Sequence, residues 1–117
     1  PCSTKHAALL PFIAQPVPPG QGLEIVHAEK AQTPYIYHES CIVLGRQKGH
    51  VDLLLDHTSV SRRHAVIGYD GHRYVLCDLK STNGTFVTSE KVTVKPLMEE
   101  VTFRLGEITL TYRTTHC

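Results

Sequence analysis

Three short polar clusters combine side chains that together can hold an anion: Gly45-Arg46, SVSRRHA over 59–65, and DLKSTNGTF over 78–86. Arg46 and Arg62 supply guanidinium forks, Ser61 and Thr82 hydroxyls, Asn83 an amide, and Gly84 a backbone with no Cβ in the way. Asp78 is the one carboxylate among them. Such a donor-rich set suits a phosphoryl dianion, because a guanidinium bonds two phosphate oxygens at once while hydroxyls and turn N–H groups satisfy the rest. The same clusters contain the residue types of a hydrolase triad, Ser61, His64 and Asp78. Ser61 and His64 stand three apart, so a strand starting near Arg62 need not bring their side chains together, and no G-x-S-x-G elbow is present. No enzyme is expected. Metal chemistry is not expected either: Cys2, Cys41, Cys77 and Cys117 form no C-x-x-C pair, and the eight His are dispersed with no H-E-x-x-H. The cysteine pattern reads as a reduced, intracellular protein without cofactors.

Clusters so far apart in sequence converge only if a rigid scaffold gathers their loops at one end. From Leu23 onward, short segments rich in Val, Ile, Leu, Thr and Tyr alternate with turn residues, which predicts an all-β, antiparallel sandwich or barrel. Strands are expected near LEIVH, PYIYH, CIVLGR, VDLLL, RHAVIGY, RYVLCDL, GTFVTS, EVTFRL and EITLTYR. In the last, Ile108, Leu110 and Tyr112 share one face and Glu107, Thr109 and Thr111 the other. Asp70-Gly71 predicts a hairpin between RHAVIGY and RYVLCDL. No stretch sustains a 3.6-residue apolar period. The expected organisation is a Pro/Gly-rich arm over 1–22, a β-sandwich over 23–113 and a tail over 114–117.

In their order and spacing, GR at 45–46, SRRH at 61–64 and DLKSTNGTF at 78–86 resemble the forkhead-associated (FHA) domain, over about Leu23 to Arg113. The resemblance implies a twisted antiparallel β-sandwich of about eleven strands that binds phosphothreonine peptides across the loops at one end. It implies that Arg46 grips the phosphate, that the Ser61 hydroxyl bonds it and that Arg62 reaches it. Thr82 then lies near the phosphate, and Asn83 hydrogen-bonds the ligand backbone beside the phosphothreonine. Gly45, His64 and Gly84 take structural roles, His64 tying the loop and Gly84 allowing a positive backbone angle. The residues beside the phosphate site, Ser59, Val60 and the TSEKV loop, are expected to read the sequence flanking the phosphothreonine. The chain departs from the family in carrying VTSEKV where an Asn-Gly turn is common, and Glu99-Glu100 where Asp-Gly-Asp is frequent. VPPGQGLEIV and DHTSVSRRHAVIGY resemble nuclear, splicing-associated members of the family, which implies a nuclear protein and phosphothreonine-proline sites on its partners.

Composition bounds the alternatives. At 117 residues one domain is expected, able to bury roughly 65% of its unfolded surface without disulfide or metal staples. Lys plus Arg number 12 and Asp plus Glu 11, so the formal charge of +1 offers no general field for nucleic acid. There is no Trp, and Tyr35, Tyr37 and Phe86 read as sheet or core residues rather than stacking platforms. No apolar run approaches the ~20 residues of a membrane span, and no leader pattern is seen. A soluble monomer cut from a longer chain, which starts at Pro1, is the expectation. The competing reading is a scaffold that binds a partner without regard to phosphate.

Overall fold

The computed structural model describes residues 7–29 and 34–116. The expectations for Cys2, His6 and Cys117 fall outside those residues. After a 3-10 turn at Ala7–Leu9 come eleven strands: β1 Gln21–His27, β2 Tyr35–Tyr37, β3 Cys41–Gly45, β4 Leu53–Leu54, β5 Ala65–Tyr69, β6 Tyr74–Asp78, β7 Thr85–Val87, β8 Glu90–Lys91, β9 Val94–Pro96, β10 Glu100–Leu105 and β11 Ile108–His116. They form a six-stranded sheet in the order β2-β1-β11-β10-β7-β8 and a five-stranded sheet in the order β4-β3-β5-β6-β9. Alternation sends one face of the longer strands between the sheets, where Leu23, Ile25, Ile42, Leu44, Ile67, Leu76, Phe103, Leu105, Leu110 and Tyr112 form one core. The predicted face of Ile108, Leu110 and Tyr112 is buried there.

One pair departs from the expected antiparallel pattern. β3 and β4 run parallel, with Leu44 opposite Leu53 and Gly45 opposite Leu54. The connection leaves β3 at Arg46 and returns to its start, where Val43 N–H donates to the Asp52 carboxylate (2.8 Å) and Asp52 N–H to Val43 C=O (2.8 Å). Only Leu53–Leu54 of VDLLL is strand as a result.

β3 and β5 are buried on both faces. Their second face, with that of β6, carries Cys41, Val43, Val66, Val75 and Cys77, and the arm covers it with Leu9, Leu10 and Phe12. Gly68 lets that cover lie close: a Cβ there would stand 2.6 Å from the tip of the Leu10 side chain, which would have to move aside. The Pro-rich composition does exclude regular structure over 10–20, and the segment still docks, with Gln15 N–H donating to Tyr69 C=O (2.9 Å).

Asp70-Gly71 lies in the β5–β6 hairpin as expected, in a loop of residues 70–73 closed by Asp70 Oδ1 accepting from His72 and Arg73 N–H (2.8 and 2.9 Å). The β7–β8 hairpin keeps a two-residue turn despite lacking Asn-Gly. Val87 pairs with Glu90, and Thr88 and Ser89 both adopt positive φ (50° and 67°). Left-handed backbone costs an L-residue roughly 1–2 kcal/mol, least for Asn and nothing for Gly. Thr88→Asn with Ser89→Gly is therefore expected to stabilise the domain by about 1 kcal/mol or more, read as a higher urea midpoint at unchanged slope. A lower midpoint would mean that the Thr88 or Ser89 side chain contributes more than its backbone costs.

Candidate phosphopeptide site

Loop 46–52, loop 55–64 and loop 79–84 meet at one end of the sandwich, and backbone contacts lock them together. Arg46 N–H is shared between Ser61 and Arg62 C=O (3.1 and 3.0 Å), so the first two loops touch along their main chains. Gly45 permits this approach: a Cβ there would stand 2.1 Å from Arg62 O. The Arg46 side chain is exposed, and its Nε donates to Val60 C=O (2.9 Å). Its two terminal NH2 groups have no partner among the described residues, which leaves a held fork facing solvent.

His64 joins the second loop to the third. Fully buried, it accepts from Ser61 N–H at Nδ1 (3.1 Å) and donates from Nε2 to Gly84 C=O (2.8 Å). That pair of bonds fixes the neutral Nε2–H tautomer. Burial pushes the His64 pKa below the ordinary imidazole value, against the opposing pull of the Gly84 carbonyl and Asp78. Ser61 Oγ accepts from Thr82 N–H (3.0 Å), so the Ser61 O–H remains able to donate outward.

Asp78, the last residue of β6, organises the third loop. Its carboxylate accepts from Ser81 Oγ, from Ser81 N–H (3.1 Å) and from Thr85 Oγ1 (2.7 Å), while Ser81 Oγ accepts from Gly84 N–H (3.1 Å). Partial burial raises the Asp78 pKa, yet the bonds from Ser81 and Thr85 prevail and hold it below the usual carboxylate range. Gly84 takes φ 88°, a left-handed angle that closes the turn. Asn83 Nδ2 donates to Ser59 C=O (2.9 Å), which orients the amide and leaves its oxygen and second N–H available.

Of the residues singled out from sequence, Arg46, Ser61, Arg62, Thr82 and Asn83 all stand on these three interlocked loops, with Arg46, Arg62, Thr82 and Asn83 exposed and Ser61 half-buried. Arg62 and Arg63 lie in a turn rather than on a strand, and both are exposed. Ser59 and Val60 are not available to read a ligand through their side chains, being only 7% and 1% exposed. Ser59 N–H donates to His57 Nδ1 (3.0 Å), so that nitrogen is an acceptor and the Ser59 hydroxyl donates to it (2.8 Å) while accepting from Glu107 N–H (2.8 Å). Ser59 thus anchors the β10–β11 turn to the site. Sequence reasoning missed this role and that of Ser81; DLKS was the available signal for Ser81, an Asp three residues before a turn Ser.

The triad types do not form a triad. Both nitrogens of His64 serve backbone groups, and Asp78 bonds Ser81 and Thr85. Among the described residues no group of three His, Cys, Asp or Glu is placed to hold a metal.

Three loops are thus fixed to one another with cationic and hydroxyl donors outward, an arrangement chemically able to hold an anion. The chain belongs to the FHA domain family, whose sequence model matches residues 42–106, more than half of its length. It is 41% identical over 73 residues to the human nuclear inhibitor of protein phosphatase 1, covering 60% of this chain and 21% of that protein. The chain thus spans about a fifth of the length of the nuclear inhibitors it matches. A solved FHA domain from a study of phosphothreonine-dependent FHA interactions superposes with a TM-score of 0.72 at 32% identity, covering 79% of this chain and 95% of that one. Mycobacterium tuberculosis EmbR in complex with a low-affinity phosphopeptide gives 0.75 at 27%, covering 82% and 25%. FHA domains are recognition modules rather than an enzyme family, and phosphothreonine-dependent binding is their general property.

Proposed function

We propose that this domain reads phosphothreonine on a partner protein, with Arg46, Ser61, Arg62 and Thr82 around the phosphate and Asn83 on the ligand backbone. The observation that carries the reading is the Arg46 fork: Nε is pinned by Val60 C=O, which aims the uncommitted terminal groups away from the protein beside a Ser61 hydroxyl free to donate. A guanidinium held in this way loses less rotamer freedom on binding a dianion than a loose surface side chain. His64 and Asp78 are committed to loop contacts and offer the Ser61 hydroxyl no base, and holding a phosphate monoester in its ground state gives no acceleration. The domain acts as an inert reader, a monomer that engages one phosphorylated protein at a time. Similarity to the nuclear inhibitor supports a nuclear setting, and the resemblance of DHTSVSRRHAVIGY to nuclear, splicing-associated family members is the ground for proposing phosphothreonine-proline sites.

Calorimetry with a phosphothreonine peptide, its phosphoserine counterpart and the unphosphorylated twin tests this reading. Loss of the phosphate is expected to weaken binding at least ~30-fold, and phosphoserine about fourfold if only one methyl is buried. Equal affinity for the phosphorylated and unphosphorylated peptides would favour the phosphate-independent scaffold instead.

A further inference from the structure

Both sheets leave an edge open near β10. β9 is the outer strand of its sheet, and β7 meets β10 only across Phe103–Leu105 before turning away at Thr88-Ser89. Among the described residues, Glu100, Val101 and Thr102 therefore have β11 on one side and no strand on the other. Thr114 N–H donates to Glu99 C=O (3.0 Å) and Gly106 N–H to Gly84 C=O (3.1 Å), so odd-numbered residues of this strand bond toward β11 and even-numbered ones toward β7. Glu100 and Thr102, both exposed, consequently direct their backbone N–H and C=O into the open side. A groove of about 820 Å³ runs there, with Met98, itself 61% exposed, among its apolar lining residues.

The charges along this groove are one-sided. Arg73, Lys95 and Arg104 line it, against Glu100 as the sole carboxylate, and Glu100 is bonded to Arg113 at 2.8 Å. Arg104 lies 4.1 Å from the Phe86 ring centroid and donates to Gly106 C=O, whereas Arg73, though near enough to Asp70 to help lower its pKa, and Lys95 make no direct ion pair among the described residues. Among the described residues, ladder groups without a strand partner and cations outside any direct ion pair coincide.

We infer that the Glu100–Thr102 edge takes an extended acidic segment of a protein partner as an added strand beside β10. Main-chain bonds to Glu100 and Thr102 hold the segment, carboxylates meet Arg73 and Lys95, and an alternate apolar side chain covers Met98. Self-pairing of two copies along this edge would set the same cations against one another, which favours a different, acidic occupant. The site uses none of the phosphate-binding residues.

The test is NMR on the isotope-labelled domain with an octapeptide alternating glutamate and valine, beside its lysine-valine counterpart. The glutamate peptide is expected to slow amide exchange at Glu100 and Thr102 and to bind at least ~10-fold more tightly than the lysine peptide. Thr102→Pro removes an N–H that faces only the open side, so it should abolish this protection and leave phosphothreonine-peptide binding unchanged. Arg73→Glu with Lys95→Glu should reverse the peptide preference, an outcome that does not depend on how well the proline variant folds. No protection at these two amides, equal binding of the two peptides, or protection that grows with protein concentration in the absence of peptide would each overturn the proposal.

Discussion

Arg46→Ala is expected to weaken phosphothreonine-peptide binding at least ~30-fold while the domain stays folded. A dianion 4 Å from one guanidinium gains on the order of 8 kcal/mol of gross Coulomb energy at an effective dielectric of 20, and desolvation of both partners cancels most of it. Truncating one member of such a pair typically costs ~2–5 kcal/mol. Stability should change far less, because the Arg46 side chain is exposed and its loss opens no cavity in the core. Arg46→Lys separates charge from geometry: an ammonium keeps the charge but cannot bond Val60 C=O through Nε while presenting a two-pronged fork. It should recover only a small part of the affinity. Calorimetry together with thermal unfolding decides the matter, and an alanine variant that binds as tightly as the parent would place the phosphate elsewhere.

The sandwich was legible where alternation had length to show itself. EVTFRL is a strand over those very residues, and EITLTYR buried its expected face, because each segment sets apolar against polar side chains over six or more residues. β8 and β9 escaped notice since two or three exposed residues, EK and VKP, carry no pattern. The cover formed by Leu9, Leu10 and Phe12 is tertiary, yet a sign of it lay in the unbroken apolar runs CIVLG and AVIG, which read as strands buried on both faces.

At the site, residue types revealed which groups can hold phosphate, but could not reveal which of them were already committed. Ser59 looks as free as Ser61 in SVSRR, and only the fold brings Glu107, 48 residues on, to occupy its hydroxyl. Conversely, nothing in the types distinguishes Arg46 from an ordinary strand-end arginine until Val60 C=O is seen to hold its Nε. The useful distinction within the three clusters is between donors that lock loops and donors left facing outward, and that distinction is made by contacts more than ten residues apart.

His64→Leu should destabilise the domain by roughly 2–6 kcal/mol, since Ser61 N–H and Gly84 C=O each lose a partner at a cost of ~1–3 kcal/mol. That is a large share of the ~5–15 kcal/mol typical of a whole domain. His64→Gln, which can still accept at one atom and donate at another, is expected to fall between the two. The same residue sets a pH dependence whose sign follows from its lowered pKa. Above the unfolded value near ~6.5 neither state holds the proton and the bonds contribute fully. As pH falls below ~6.5 the unfolded chain takes up the proton first, and stability declines until the folded pKa is passed. Asp78, with its carboxyl held low, adds a separate loss only under more acidic conditions, below ~3.9 and through its own folded pKa. Peptide affinity also drops near pH ~6, because the ligand's phosphate becomes a monoanion, so the measurement must be urea unfolding of the unliganded domain between pH 8 and pH 5. The parent should lose stability across that range and His64→Leu should lose less. Parallel profiles for the two would mean that His64 does not stay neutral when folded, and with it the Nε2–H tautomer that ties Gly84 to the recognition loop would have to be given up.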